Sequence, residues 1–215
     1  MGLIIGLSGV DGSGKTTAAK YVVDRLKKQG FKVIYHHELD YILLKPIFRL
    51  TTKLMGSKRA ESAKTHSLRN MEKSKPFYSG LYYFLVLVDN LISYLYFKFK
   101  RGIIVHDRWP YDIPAIFPYR HYKNRFIEKL LLNFPRPDIL ILLKIPPEIA
   151  LLRKNEDPSE WHQSLDFYES IGARISAIAC QLKYDAVINS NRPIDEVAGD
   201  ILTVIISLSK LQIST

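Results

Sequence analysis

The chain has 215 residues, enough for one sizeable core and best read as one compact domain. Its 31 Lys and Arg against 21 Asp and Glu leave a formal charge of +10, which favours anionic partners. The charge is dispersed, so phosphorylated small molecules satisfy it and no nucleic acid is required. A single cysteine, Cys180, excludes an intrachain disulfide and is expected as a buried structural thiol in a reducing, cytoplasmic setting.

The first residues lack the basic start and long apolar stretch of a signal peptide. Leu3–Ser8 is a short apolar run ending in a Gly-rich turn, the pattern of a buried parallel strand. A helix is predicted from about Lys15 with Gly30 at its C-terminal end, then a strand over residues 31–35. Residues 42–75 are basic and weakly patterned, read as helix and mobile loop. Residues 81–97 are almost wholly apolar and approach the shortest spanning length, but Asp89 and Asn90 at their centre oppose a membrane assignment. A helix in the core or in a subunit interface is expected there instead. Strands over 103–105 and 139–145, a helix over 158–182, a strand at Ala186–Asn189 and a last helix from Ile194 complete the series. Strands alternating with helices imply an α/β fold, a parallel sheet with helices on both faces and its site at the strands' carboxyl ends.

One motif dominates the chemistry. Gly9, Val10, Asp11, Gly12, Ser13, Gly14, Lys15 and Thr16 match G-x-x-x-x-G-K-[ST] in full, between a strand and a helix. Glycines let successive backbone N–H groups face a phosphate at the positive end of the following helix. Lys15 supplies a cation for the β- and γ-phosphates, and the Thr16 hydroxyl can ligate Mg²⁺. Asp107, closing an apolar strand, is the second candidate metal ligand. Tyr82, Tyr83 and Phe84 offer rings for stacking on a base, although a helical aromatic stripe more often packs a core. His36, His37 and Glu38 are poor candidates for a metal centre, because adjacent strand residues face opposite ways.

Several stretches carry a family resemblance. The phosphate loop with Asp11 inside it, continued by Thr17, resembles that of the thymidylate kinase family, and Asp107-Arg108-Trp109 resembles that family's Asp-Arg-aromatic motif. Residues 136–142 and 146–150, running into Arg153 and Lys154, are similar to its strand and mobile lid. Residues 189–197 resemble its last strand and the turn near the adenine. The resemblance covers most of the chain. It implies a P-loop NTPase three-layer sandwich with a five-stranded parallel sheet, a single domain over residues 1–215 and a lid around 153–165. It also implies a homodimer, ATP as co-substrate, Mg²⁺ as cofactor, and transfer of the γ-phosphate to dTMP.

Carried over by position, Asp11 would accept a hydrogen bond from the acceptor's sugar hydroxyl and Asp107 would sit near Mg²⁺. Arg108 would bridge the acceptor phosphate and the transferring group. The loop has no arginine, so Arg153 or Lys154 would supply one cation from the lid. Lys15, Arg108 and Arg153 are the expected catalytic cations, with Tyr83 a candidate on the acceptor side. The alternative is that Arg153 and Lys154 simply cap a short helix. The chain departs from the family in having no arginine after the second strand, nor at Val88, Asp89 or Asn90 on the following helix. Trp109 stands where Tyr or His is usual. These departures leave a different small-molecule acceptor open. A nucleotide switch or assembly factor is the non-kinase alternative, but residues 153–157 do not match the guanine-reading Asn-Lys-x-Asp.

Overall fold

Apolar strands can be buried on both faces only if helices cover both, and this chain does so with one parallel sheet. The computed structural model describes residues 2–37, 76–155 and 163–209. Strands β1 (Leu3–Ser8), β2 (Val33–His37), β3 (Ile103–Asp107), β4 (Ile139–Lys144) and β5 (Ala186–Asn189) lie in the order β2-β3-β1-β4-β5. All pairs are parallel. Registers Leu7↔Asp107 and His37↔Asp107 bring the ends of β1, β2 and β3 together, beside the start of the phosphate loop.

Side chains alternate across the sheet. Ile5, Leu7, Val105 and Ile141 face α1 (Lys15–Lys28) and the last helix, α6 (Ile194–Ser209). Ile4, Ile104, Leu140 and Leu142 face the other layer. That layer includes α2 (Pro76–Phe99), α4 (Pro147–Asn155) and α5 (Leu165–Gln181). Each fully buried Ile or Leu contributes roughly 1.5–3 kcal/mol of burial free energy, so both layers are needed to hold the sheet. Two further elements flank it, a 3₁₀ helix at Pro110–Ile116 and α3 (Arg125–Leu132).

The predicted alternation is present, with corrections at its edges. The second strand begins at Val33 rather than Phe31, and Asp107 closes the third as expected. Gln29 caps α1 and Gly30 follows in the left-handed region, at φ 86°. Helix α5 starts at Leu165, where Ser164 accepts the Phe167 N–H, instead of continuing from Pro158. The 3₁₀ helix and α3 were not expected as elements, whereas α4 is the short helix weighed as an alternative for Arg153 and Lys154. Cys180 is exposed, not buried, because it faces away from the Ile175–Ile178–Ala179 side of α5. The expected helix and loop over 42–75 lies outside the described residues.

Helix α2 reconciles an apolar composition with polar residues at its centre. Asp89, Asn90 and Ser93 are buried, and Asn90 Nδ2 donates to the Val86 carbonyl at 2.9 Å. The outward side carries Leu81, Phe84, Leu91, Leu95 and Phe99. By length and composition the helix could cross a membrane, but the buried polar residues place its inner face against protein.

Candidate active site

Sharp turning of the chain after β1 builds the phosphate loop. Gly9 has φ 144° and Gly12 φ 82°, and a Cβ there would lie 2.5 Å from the Leu143 carbonyl oxygen and 2.6 Å from that of Ala150. Any side chain at either position would push the loop off β4 or α4. Helix α1 then begins without an acidic residue in its first turn, which leaves its positive end uncompensated for an anion.

Lys15 is buried and folds back over the loop. Its Nζ donates to the carbonyls of Gly9 at 2.7 Å and Val10 at 2.6 Å, and lies 3.4 Å from Ser13 Oγ. Burial lowers its pKa to about 8, helped by the Arg108 charge and opposed by Asp11, Asp112 and Asp107. An ammonium held this way is poised for phosphate oxygens, whose negative charge restores the balance.

The segment leaving β3 clasps this loop at three points. Asp107 Oδ2 accepts from Thr16 Oγ1 at 2.6 Å and from Tyr35 Oη at 2.8 Å, with His37 Nε2 3.8 Å away. Arg108 forms an ion pair with Asp11, and its guanidinium holds the Asp11 carboxyl far below the usual carboxylate range. Asp112, in the 3₁₀ helix, accepts from the Gly9 N–H at 3.1 Å and from the Ser8 hydroxyl. Arg108 itself sits at φ 76°, a conformation that disfavours a side chain. Two consecutive N–H groups, those of Arg108 and Trp109, fix it by donating to the Leu7 carbonyl at 3.0 and 3.1 Å.

Of the residues expected at the site, the loop from Gly9 to Thr16, Asp107 and Arg108 converge. Thr17 is exposed on the first turn of α1. Arg153 also reaches the loop: its Nη1 lies 3.3 Å from the Gly12 carbonyl oxygen and its Nη2 3.4 Å from that of Ser190. It stands in the last turn of α4, so it occupies a helix end and the loop's rim at once. Tyr83 is a correction. Its ring is buried against Phe117 and Tyr122 at centroid distances of 4.7 and 5.0 Å, filling a core cluster. Phe84 is exposed on the outer side of α2, away from that cluster. His36 turns inward to His106 and Phe97, whereas His37 lies near Asp107, the opposite facing expected of neighbours on a strand. Residues 156–162, part of the expected lid, lie outside the described residues.

Sequence reasoning missed Tyr35 and Asp112. Asp112 left one signal, a single charge within the apolar run from Trp109 to Phe117. Tyr35 left none, because a strand tyrosine is ordinary and only the β2–β3 register brings its hydroxyl to Asp107.

A sequence profile of the family described as Thymidylate kinase matches residues 7–201, spanning the loop, the β3 segment, α4 and the first half of α6. The chain belongs to the thymidylate kinase family. Membership makes the protein a P-loop nucleoside monophosphate kinase. Similar proteins include a probable thymidylate kinase of Archaeoglobus fulgidus, 26% identical with 98% of each chain covered. A second, from Pyrococcus abyssi, is 25% identical over 95% of this chain and 96% of its own. A thymidylate kinase of Xanthomonas oryzae is 31% identical over 71% of this chain and 60% of its own. The matched range contains the loop from Gly9 to Thr16 and the Asp107-Arg108 pair.

Proposed function

We propose that the protein transfers the γ-phosphate of ATP to dTMP, releasing ADP and dTDP, as a cytoplasmic homodimer that uses Mg²⁺. The observation that carries this reading is the convergence of the loop, Asp107 and Arg108 in a chain of this family. A phosphate oxygen of the acceptor attacks the γ-phosphorus, the bond to the β–γ bridging oxygen breaks, and ADP leaves with that oxygen. Two anionic groups must meet for this to happen, so the residues work mainly by positioning and by neutralising charge.

Lys15 and the backbone N–H groups at the start of α1 hold the donor phosphates. Arg108 reaches between donor and acceptor, and Asp11 accepts from the acceptor's sugar hydroxyl. Arg153 approaches the γ-phosphate from the rim. The hydroxyl of Thr16 and the carboxylate of Asp107, 2.6 Å apart, are oxygen donors suited to a hard cation and would hold Mg²⁺. Bound there, that ion supplies charge neutralisation on the donor phosphates.

The outward apolar stripe of α2, from Leu81 to Phe99, supports the homodimer by analogy with obligate interfaces. The test of the whole reading is ADP release from Mg²⁺-ATP across a panel of nucleoside monophosphates. dTMP should give the highest kcat/KM. A different best acceptor would overturn the assignment of dTMP, and no turnover with any nucleotide would overturn the kinase reading.

A further inference from the structure

The least expected group at this site is a buried acid. Asp112 is 6% exposed and lies in the 3₁₀ helix, beneath the first turn of the phosphate loop. One of its oxygens accepts from the Gly9 N–H at 3.1 Å, the other from the Ser8 hydroxyl. Ser8 Oγ in turn lies 3.4 Å from Tyr184 Oη, on the turn between α5 and β5. A relay therefore runs from Tyr184 through Ser8 to Asp112, spanning β1, the turn before β5 and the 3₁₀ helix.

Placement of this relay matters more than its strength. Gly9 is where the chain leaves β1, at φ 144°, and its carbonyl is one of the two that receive the Lys15 ammonium. The Gly9 N–H belongs to the Ser8–Gly9 peptide, one Cα before the peptide that presents this carbonyl, so pinning it fixes the point from which the loop turns toward Lys15. Asp112 also sits five residues beyond Asp107 and four beyond Arg108, on the same segment. Whatever moves that segment moves the root of the loop with it.

The group is poorly explained as a stabilising residue. Burial pushes the Asp112 carboxyl above its ordinary range; Lys15, Arg108, the Ser8 hydroxyl and the Gly9 N–H only partly offset that. An ionised acid in such a place opposes folding at neutral pH, because its charged form is favoured more in the unfolded chain.

We infer that Asp112 is a positioning residue for the phosphate loop, its carboxylate clamping the Gly9 N–H and the Ser8 hydroxyl so that Lys15 meets the donor phosphates in the productive geometry. This rests on the loop being the ATP site. Two substitutions separate positioning from simple support. Asp112→Leu removes both acceptor oxygens at similar volume, whereas Asp112→Asn keeps one oxygen for Gly9 and turns an amide toward Ser8.

Calorimetric titration with ATP, steady-state kinetics and thermal melting read the outcome. Asp112→Leu should weaken ATP binding at least about tenfold and lower kcat, with the acceptor KM and the melting temperature little changed. Asp112→Asn should recover ATP affinity to within about threefold of the parent. A Leu variant that binds and turns over ATP normally would overturn the inference. So would an Asn variant that loses melting temperature, ATP affinity and acceptor affinity together, since that is the signature of a structural residue. If the Leu variant does not fold, Ser8→Ala decides. It removes one of the two clamped groups and should weaken ATP binding by about threefold, and an unchanged affinity would sink the proposal. Failure of the parent protein to bind ATP would count against the kinase reading instead.

Discussion

Arg108 and Asp11 form an ion pair across the mouth of the phosphate loop, although 97 residues separate them in the chain. One belongs to the segment after β3 and the other to the loop itself, so the pair joins the two halves of the site. An acid inside a phosphate-binding loop repels phosphate, and the guanidinium compensates for it here. The pair is partly exposed, which makes it exchangeable for contacts with an acceptor rather than a rigid strut.

Asp11→Ala is therefore expected to act on the acceptor side. The acceptor KM should rise at least about tenfold while ATP affinity stays within about twofold. Acceptor and ATP titrations on the same preparation check this. Equal losses for both ligands would refute the assignment.

Lys15→Ala should reduce kcat by at least about a hundredfold, the scale seen when one preorganised charge or donor is removed from a transition state. The fold should survive, since a buried ammonium with its pKa lowered to about 8 is not a source of stability. Circular dichroism and melting temperature monitor the fold beside the turnover assay. Near-normal turnover in a folded variant would end the catalytic reading of Lys15.

Arg153 makes two long contacts to carbonyl oxygens, one on the loop at Gly12, 3.3 Å away, and one just beyond β5 at Ser190, 3.4 Å away. Contacts this weak leave the guanidinium free to tighten on phosphate as charge develops. Arg153→Ala should lower kcat by about tenfold with ATP dissociation nearly unchanged, and Lys154→Ala should cost less, because an ammonium lacks the planar fork. Stopped-flow ATP dissociation with single-turnover rates distinguishes the two cases. A parallel fall in affinity and rate would make Arg153 an ordinary binding residue.

Leu91 and Leu95 lie one turn apart on the exposed side of α2. Leu91→Glu combined with Leu95→Glu places two charges in that stripe without touching the core. Light scattering should report a dimer for the parent at micromolar concentration and a monomer for the variant. A parent that is already monomeric would remove the dimer from the proposed function.

How much of this was legible in the sequence depends on how local each cause is. The loop could be read directly, because its glycine spacing, Lys15 and Thr16 act within eight consecutive residues. Asp107 was legible as the end of an apolar run, Arg108 only through the family resemblance, and the parallel sheet as alternating runs of strand and helix length. Tyr83 was harder to read. A ring on a helix is the same letter whether it faces a ligand or a core, and contacts with Phe117 and Tyr122 decided it. Cys180 was misjudged for the same reason, since one face of α5 is buried and the other is not.

By itself, the sequence determined the phosphate chemistry and the class of fold, since both follow from short-range patterns that any folded state of the chain must honour. Only the tertiary structure decided which distant groups complete the site. The order β2-β3-β1-β4-β5 and the register Leu7↔Asp107 bring Asp107 to Thr16, Tyr35 to Asp107, and Asp112 to Gly9. Those separations are 91, 72 and 103 residues. No local periodicity encodes such pairings. They are set by how two layers of helices close over one sheet, where burying apolar surface on both faces leaves a single register for the strand ends that carry the chemistry.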